Sequence, residues 1–365
     1  MSAGERMKEQ QRALIRRYSQ PTNFRGLLQV GSTLIPLAAL WWAAVHSVEI
    51  SLWLTAALIA LIALFNLRVF ALLHECGHGS LCRSRWLNRS AGFVFGVISG
   101  MPQYVWSQHH DFHHRTNGDW EKYRGPLTTL TVDEYAALSV TQQNRYRRLR
   151  SILMAPFAGF VYLIFNPRFT WLKGSLGFLG HVVARRPAHA FRTPYWKSGR
   201  EYWHMFWNNA VLLSVWALMC WLIDPAHFFT IYLLSVSLAG GAGIILFTVQ
   251  HNFEHSYASS TAQWNSHTGA MEGTSFLILP AWLNWFTANI GYHHVHHISA
   301  AIPNYRLVAC HNENAQLFTG VTRIRLSQIH KALRCILWDQ RARRIISVAE
   351  YREQLANARA CAVAK

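Results

Sequence analysis

"WSQHHDFHHRTNGDW", Trp106–Trp120, places four histidines within six residues, in a chain whose other landmarks are apolar. Whether this stretch lies inside or outside a membrane decides the fold. It is flanked by Ala91–Val105 and Ser151–Phe165, apolar runs of about 15 residues that contain or abut Pro102 and Pro156. A membrane span needs about 20 apolar residues. If both runs crossed, Trp106–Arg150 would lie outside together with Arg115, Lys122, Arg124, Arg145, Arg147, Arg148 and Arg150. Basic loops resist translocation. Both runs therefore read as re-entrant or interfacial pieces, and the histidines stay inside.

Working outward, four longer windows are apolar enough to span. Leu27–Val48 and Leu52–Leu73 meet at the polar "HSVEIS" around Glu49, and Asn208–Ile223 and Phe228–Val249 meet at "DPAH", Asp224–His227. With both termini inside, all 35 Lys and Arg fall on the cytoplasmic side or at that end of a helix. The outside turns carry Glu49 and Asp224 and no basic residue, which is the positive-inside pattern. Phe169–Val183, with Lys173 and His181 among glycines and aromatics, reads as interfacial. The expected fold is all-α: a polytopic membrane protein with four transmembrane helices and a helical cytosolic cap. Residues 1–26 form a cytosolic amphipathic segment, 27–300 the membrane domain with its histidines, and 301–365 a cytosolic cap. Within that cap, Leu326–Trp338 has apolar residues at helical spacing.

Composition agrees. The chain is 51% hydrophobic, yet its mean hydropathy of only +0.08 keeps a large part in water. The net charge of +18 is accounted for by topology, so no nucleic-acid partner is expected. The start, "MSAGERMKEQQRALIRRYSQ", lacks the short apolar core of a signal peptide and suits a basic amphipathic helix along the membrane surface. Cys76, Cys82, Cys220, Cys310, Cys335 and Cys361 include no CxxC, and five of them face the reducing side, which excludes a disulfide framework.

Twelve of the 20 histidines fall in four clusters, each just beyond an apolar stretch on the cytoplasmic side. "HECGH" holds His74 and His78, one helical turn apart on one face. "HHDFHH" holds His109, His110, His113 and His114, of which the last three share a face. "HNFEH" holds His251 and His255, again one turn apart, and "HHVHH" holds His293, His294, His296 and His297. One metal ion cannot use so many ligands, but two can. Imidazole suits iron, zinc, copper and nickel, so ligand type does not name the metal. A structural zinc needs four ligands and usually recruits cysteine. Nearby acids then orient the ligands by accepting their other ring N–H, and Glu75, Asp111, Asp119 and Glu254 are the candidates.

The spacing His74-xxx-His78, His110-xx-His113-His114 and His293-xx-His296-His297 resembles the three histidine boxes of the membrane fatty acid desaturase family. "HECGHGS" and "HHVHHISAAIPNY" are similar to acyl-lipid desaturases of the oleate (omega-6) type, and the resemblance runs from about Phe70 to Tyr305. It implies two iron ions with O2 as co-substrate, and introduction of a cis double bond into an acyl chain. The implied metal ligands are His74, His78, His110, His113, His114, His255, His293, His296 and His297. Stearoyl-type members carry an Asn-xxx-His after the last span. His255 stands at that histidine and His251 at the asparagine, which makes His251 a further possible ligand.

Other chemistry is weighed against this. "HECGH" also satisfies HExxH, the zinc-protease signature with Glu75 as base, but a protease leaves the other clusters unused. A metal transporter needs ionisable groups at mid-membrane depth, whereas Asn66 and Arg68 lie near a span end. No nucleophile, flavin, nicotinamide or cytochrome b5-type haem motif accompanies the histidines, so no catalytic residue beyond the metal ligands is expected. Electrons should come from a separate ferredoxin- or cytochrome b5-like donor docking on the basic cytoplasmic surface. The substrate is a fatty acyl lipid. Hydroxylase and ketolase members share the scaffold, because one abstracted hydrogen can be followed by oxygen rebound or by a second abstraction.

Overall fold

A computed structural model describes residues 3–125 and 127–363. The chain is mostly helical and divides into two bodies, Pro21–His110 with Pro156–Gly243, and Met1–Gln20 with Asp111–Ala155 and Ile244–Lys365. The first is the membrane body. Its helices are α2 (Asn23–Ser47), α3 (Leu52–His78), α4 (Arg85–Ser99), most of α5 (Gln103–Thr116) up to His110, α6 (the run Ile152–Val183) from Pro156 onward, α7 (Gly199–Leu222) and α8 (Pro225–His251) as far as Gly243; α1 (Ala3–Tyr18) belongs to the other body. Ser51, Ser84 and Ser198 cap α3, α4 and α7 by accepting a backbone N–H of the first turn. Gly79 (φ 70°) ends α3 directly after His78, and Gly100 (φ 78°) ends α4; both sit in the left-handed region that glycine tolerates.

At 15 residues, α4 rises about 22 Å, too short for a bilayer core of about 30 Å. The chain turns at Gly100–Pro102 and continues as α5, and α4 packs on α3. A buried irregular turn needs its carbonyls satisfied. Arg168 supplies this: its guanidinium donates to the Gly100 carbonyl, to Leu163 O (3.3 Å) and to Asn209 Oδ1 (2.8 Å). The Leu163 carbonyl is available because Pro167, four residues on, has no N–H to give it, and a π-helical segment, Val161–Phe165, lies just before that proline. Inward polar groups of the spans are likewise paired, Arg68 with Thr33 (2.9 Å) and Asn66 with Ser235 (3.2 Å).

Among the described residues, five helices are long and apolar enough to cross a membrane, and the one beyond the four expected is Ile152–Val183. The sequence reads that run as two pieces, Ser151–Phe165, short and holding Pro156, and Phe169–Val183 with Lys173 and His181, neither reading as a span. Pro167 sits in the first turn of a helical segment, where its missing N–H does not break the run. Exposed tryptophans mark the ends of the bundle, Trp42, Trp53 and Trp221 near the Glu49 and Asp224 turns and Trp86, Trp203 and Trp207 at the opposite helix ends.

In the second body, α1 buries Leu14 and Tyr18 in a core with Val295, Ile302, Leu307 and Phe318. Tyr18 Oη donates to Glu313 Oε2 at 2.6 Å, and Arg17 pairs with the same carboxylate. The apolar face of α1 thus packs against protein instead of along a membrane surface. The Leu326–Trp338 stretch also departs from a single helix. It makes short helical turns to Ala332 and then a strand, Cys335–Asp339, whose first four residues are buried. That strand pairs with Leu130–Thr131 in parallel and with Arg344–Ser347 in antiparallel register; with side chains covered on both faces, no helical stripe is required. A second two-stranded sheet pairs Phe276–Ile278 with Arg323–Arg325.

Candidate metal centre

In the membrane body, the last turn of α3 presents His74 and His78 together, ring centroids 4.7 Å apart. His110 of α5 completes a triad, at 4.6 Å from His74 and 5.1 Å from His78. Trp106, one turn earlier, stacks on the His110 ring at 4.6 Å and donates its Nε1–H to Tyr162 Oη (2.9 Å), which fixes the indole. Glu75 is buried, with Oε1 3.4 Å from His74 Nδ1 and Oε2 accepting from Ser80 Oγ at 3.0 Å.

The second body gathers His113, His251, His293 and His297, with one ligand nitrogen of each within 4.8 Å of all the others. His251 Nε2 lies 3.1 Å from His113 Nε2 and 2.9 Å from His293 Nε2. Its Nδ1 faces the Gly273 carbonyl at 3.1 Å, which assigns the proton to Nδ1 and leaves the Nε2 lone pair for the cluster. His297 Nε2 is buried without a hydrogen-bond partner. Burial, and then repulsion from His114, His293, His251 and His113, holds His297 well below the ordinary imidazole value, so it stays neutral. Four imidazoles, three of them buried and His297 partly so, with lone pairs converging and no acid among them fit a divalent cation. In the same body, His114 Nε2 and His296 Nε2 meet at 3.0 Å, and the His114 ring stacks on His297 at 4.2 Å.

His255 takes no part in these groups. It is exposed, with φ 68°, and its Nδ1 faces Arg344. The turn-apart argument fails because α8 stops at His251, where Ser256 Oγ caps the His251 carbonyl at 2.6 Å. Position 251 therefore faces the cluster and position 255 does not. Of the four acids, Glu75 touches a clustered histidine. Asp119 is buried but holds Thr261 Oγ1 (2.8 Å) and Lys122 Nζ (2.9 Å). Glu254 is exposed, 3.9 Å from His255, and Asp111 is half-buried on α5. His109 is exposed. His294 is buried but turns to His311 Nδ1 at 2.8 Å. Sequence reasoning missed Trp106 and the Gly273 carbonyl. The first had an aromatic at one-turn spacing as its signal, and a backbone carbonyl has none.

A family model described as fatty acid desaturase matches residues 51–325. The chain is 33% identical over 333 residues to "Fatty acid desaturase" of Bacillus subtilis (strain 168), covering 90% of this chain and 88% of that protein. It is 24% identical to the "sn-1 oleoyl-lipid 12-desaturase" of Picosynechococcus sp., over 65% of this chain and 62% of that one. To the "Omega-3 fatty acid desaturase, endoplasmic reticulum" of Vigna radiata it is 26% identical, over 66% and 59% respectively. Buried histidines at the ends of apolar helices, and a match that spans most of the chain, lead to one assignment: the protein belongs to the fatty acid desaturase family and is an oxidoreductase of fatty acyl chains.

Proposed function

We propose that the chain binds two iron ions and uses O2 to introduce a cis double bond into the acyl chain of a membrane lipid. The ligand set proposed is His74, His78, His110, His113, His114, His251, His293, His296 and His297. The observation that carries it is the four-imidazole group His113, His251, His293 and His297, drawn from three separate histidine clusters with no acid among them. When bound, the metals supply oxygen activation, which protein side chains alone cannot provide.

What the chain does is hold, orient and exclude. The Gly273 carbonyl fixes the tautomer of His251, and Glu75 faces the other nitrogen of His74. Trp106 stacked on His110 limits the rotation of that ring. Burial keeps His297 neutral and its Nε2 available. Apolar helices on the substrate side suit a lipid chain and keep water from the reaction. Electrons come from a separate ferredoxin- or cytochrome b5-like donor, and the site faces the cytoplasm, where the basic residues lie. Hydroxylation and ketolation remain the alternative outcomes on the same ligand set. A zinc protease built on HECGH is disfavoured, because Glu75 is occupied by Ser80 and His74. The test is expression in a host lacking desaturases, with lipid analysis for unsaturated and hydroxylated chains and metal analysis of the purified protein. Unsaturated chains with iron near two per chain are expected; hydroxylated or oxo products without double bonds would overturn the desaturase outcome.

A further inference from the structure

The membrane body carries a second concentration of charge besides the histidines. Arg89 lies near the start of α4 and Arg200 in the first turn of α7, and one turn further along α7 His204 stacks on Tyr104 of α5, centroids 4.4 Å apart. The Arg200 guanidinium lies over the same Tyr104 ring at 4.7 Å. The charges of Arg200 and Arg89 both reach the His204 imidazole. Lys197, just before α7, reaches His109 in the same way. The acid in this group, Glu201, is buried and accepts the Lys197 backbone N–H at 2.7 Å. Arg89, Lys197 and Arg200 are exposed, and among the described residues none of them forms an ion pair. Cations gathered this way repel one another, and an anion placed among them relieves that.

The depth of the cluster says which anion. Trp86 of α4 and Trp203 and Trp207 of α7 stand exposed on the same stretches, and exposed indoles mark the boundary between membrane and water. Further along the same two helices, Phe93 and Val97 of α4 and Leu212 and Val215 of α7 line an apolar cavity of about 790 Å³. Along α7 the chain passes from Lys197 and Arg200 through the indoles Trp203 and Trp207 to an apolar wall, and α4 joins that wall beyond Trp86 and Arg89. That order suits an amphipathic ligand with an anionic head better than the acidic face of a soluble protein. Tyr104 precedes His110 by six residues, about 9 Å along α5 at a rise of 1.5 Å per residue.

We propose that Arg89, Arg200 and His204 bind the phosphate of a membrane phospholipid, with one acyl chain of that lipid in the cavity that α4 and α7 line together with α2 and α8. As the substrate subsite of the proposed desaturase, and resting on that reading, this makes the acyl carrier a phospholipid of the cytoplasmic leaflet. The test uses the full chain in detergent and native mass spectrometry with phosphatidylglycerol, a galactosyl diacylglycerol and inorganic phosphate as separate probes. Phosphatidylglycerol should bind more tightly than the galactolipid, and millimolar phosphate should not displace it. R89Q/R200Q should weaken phosphatidylglycerol about thirtyfold, from about tenfold per 1.4 kcal/mol and about 1 kcal/mol per cation near an anionic headgroup, and leave the galactolipid unchanged. R89K/R200K, which keeps both charges, should retain most of the affinity, and iron content should match the parent in both variants.

Equal affinity for the two lipids, or full phosphatidylglycerol affinity in R89Q/R200Q, would overturn the proposal. So would ready displacement by phosphate, which marks a free-anion site. Loss of binding to an acidic ferredoxin with lipid binding intact also overturns it and makes the cluster a protein-docking surface. Binding is read without turnover. A parent protein that binds phosphatidylglycerol as described but forms no double bond leaves the headgroup site standing and removes the desaturase reading alone.

Discussion

Removing the His251 imidazole takes away the nitrogen that lies within about 3 Å of both His113 and His293. His251→Ala should therefore lower bound iron well below two per chain and abolish desaturation. His255→Ala changes an exposed side chain, where substitutions cost within about 0.5 kcal/mol, and should keep iron and activity within about twofold. Iron analysis and lipid profiles of the two variants check this, and the reverse result would restore position 255 to the ligand set. Glu75→Gln leaves the first ligands in place and alters only the group facing His74, so a loss of about 10- to 100-fold in oxygen consumption is expected. A pH effect follows from the neighbouring buried pair. Burial, with His311 and Arg323 adding to it, pushes His294 down to about 3, and burial with Arg323 lowers His311 also. The unfolded chain takes up these protons near pH 6.5. The pair thus weakens the fold as pH falls from about 6.5 toward 3 and has no such effect above that window. Melting curves of metal-free protein across the range should show a midpoint falling with pH, with a smaller slope in His311→Gln.

Among the elements, the turn between α4 and α5 depends on a residue distant in sequence. Arg168→Leu leaves the Gly100 carbonyl and Asn209 without their donor inside the membrane body. A buried polar group stripped of its partner costs about 1–3 kcal/mol. The variant should unfold earlier in detergent melts, and Arg168→Lys should recover only part of the loss, since an ammonium cannot match the guanidinium fork. An unchanged midpoint in Arg168→Leu would mean that the turn is held some other way. That the apolar run Ala91–Val105 is too short to span was legible in the sequence, because length against bilayer thickness is a one-dimensional comparison, but its division into the end of α4 and the start of α5 was not. That Arg168 holds the turn was not legible, since 68 residues separate the two partners.

For the whole molecule, topology is the open quantity that charge addresses. Ile152–Val183 is long enough to cross, but Arg185, Arg186, Arg192 and Lys197 follow it, and crossing would place all of them outside. Reporter fusions after Glu49 and within Asp224–His227 should read outside. Fusions within Thr128–Arg150 and within residues 184–198 should read inside. An outside signal from the last would make Ile152–Val183 a true span and give the chain an odd number of crossings.

The sequence by itself determined the membrane class, the helical architecture, the family and eight of the nine histidines proposed as ligands. Each of these is written in local quantities: apolar run length, sign of charge along the chain, and imidazoles spaced at one helical turn. Only the tertiary structure shows His251 facing the cluster and His255 turned away, because this depends on where α8 ends and no capping residue in "HNFEH" announces it. The tertiary structure alone also turned Leu326–Trp338 partly into a strand and packed α1 on protein. In both places the partner that covers the apolar face comes from a distant part of the chain, and burial there outweighs the local periodicity.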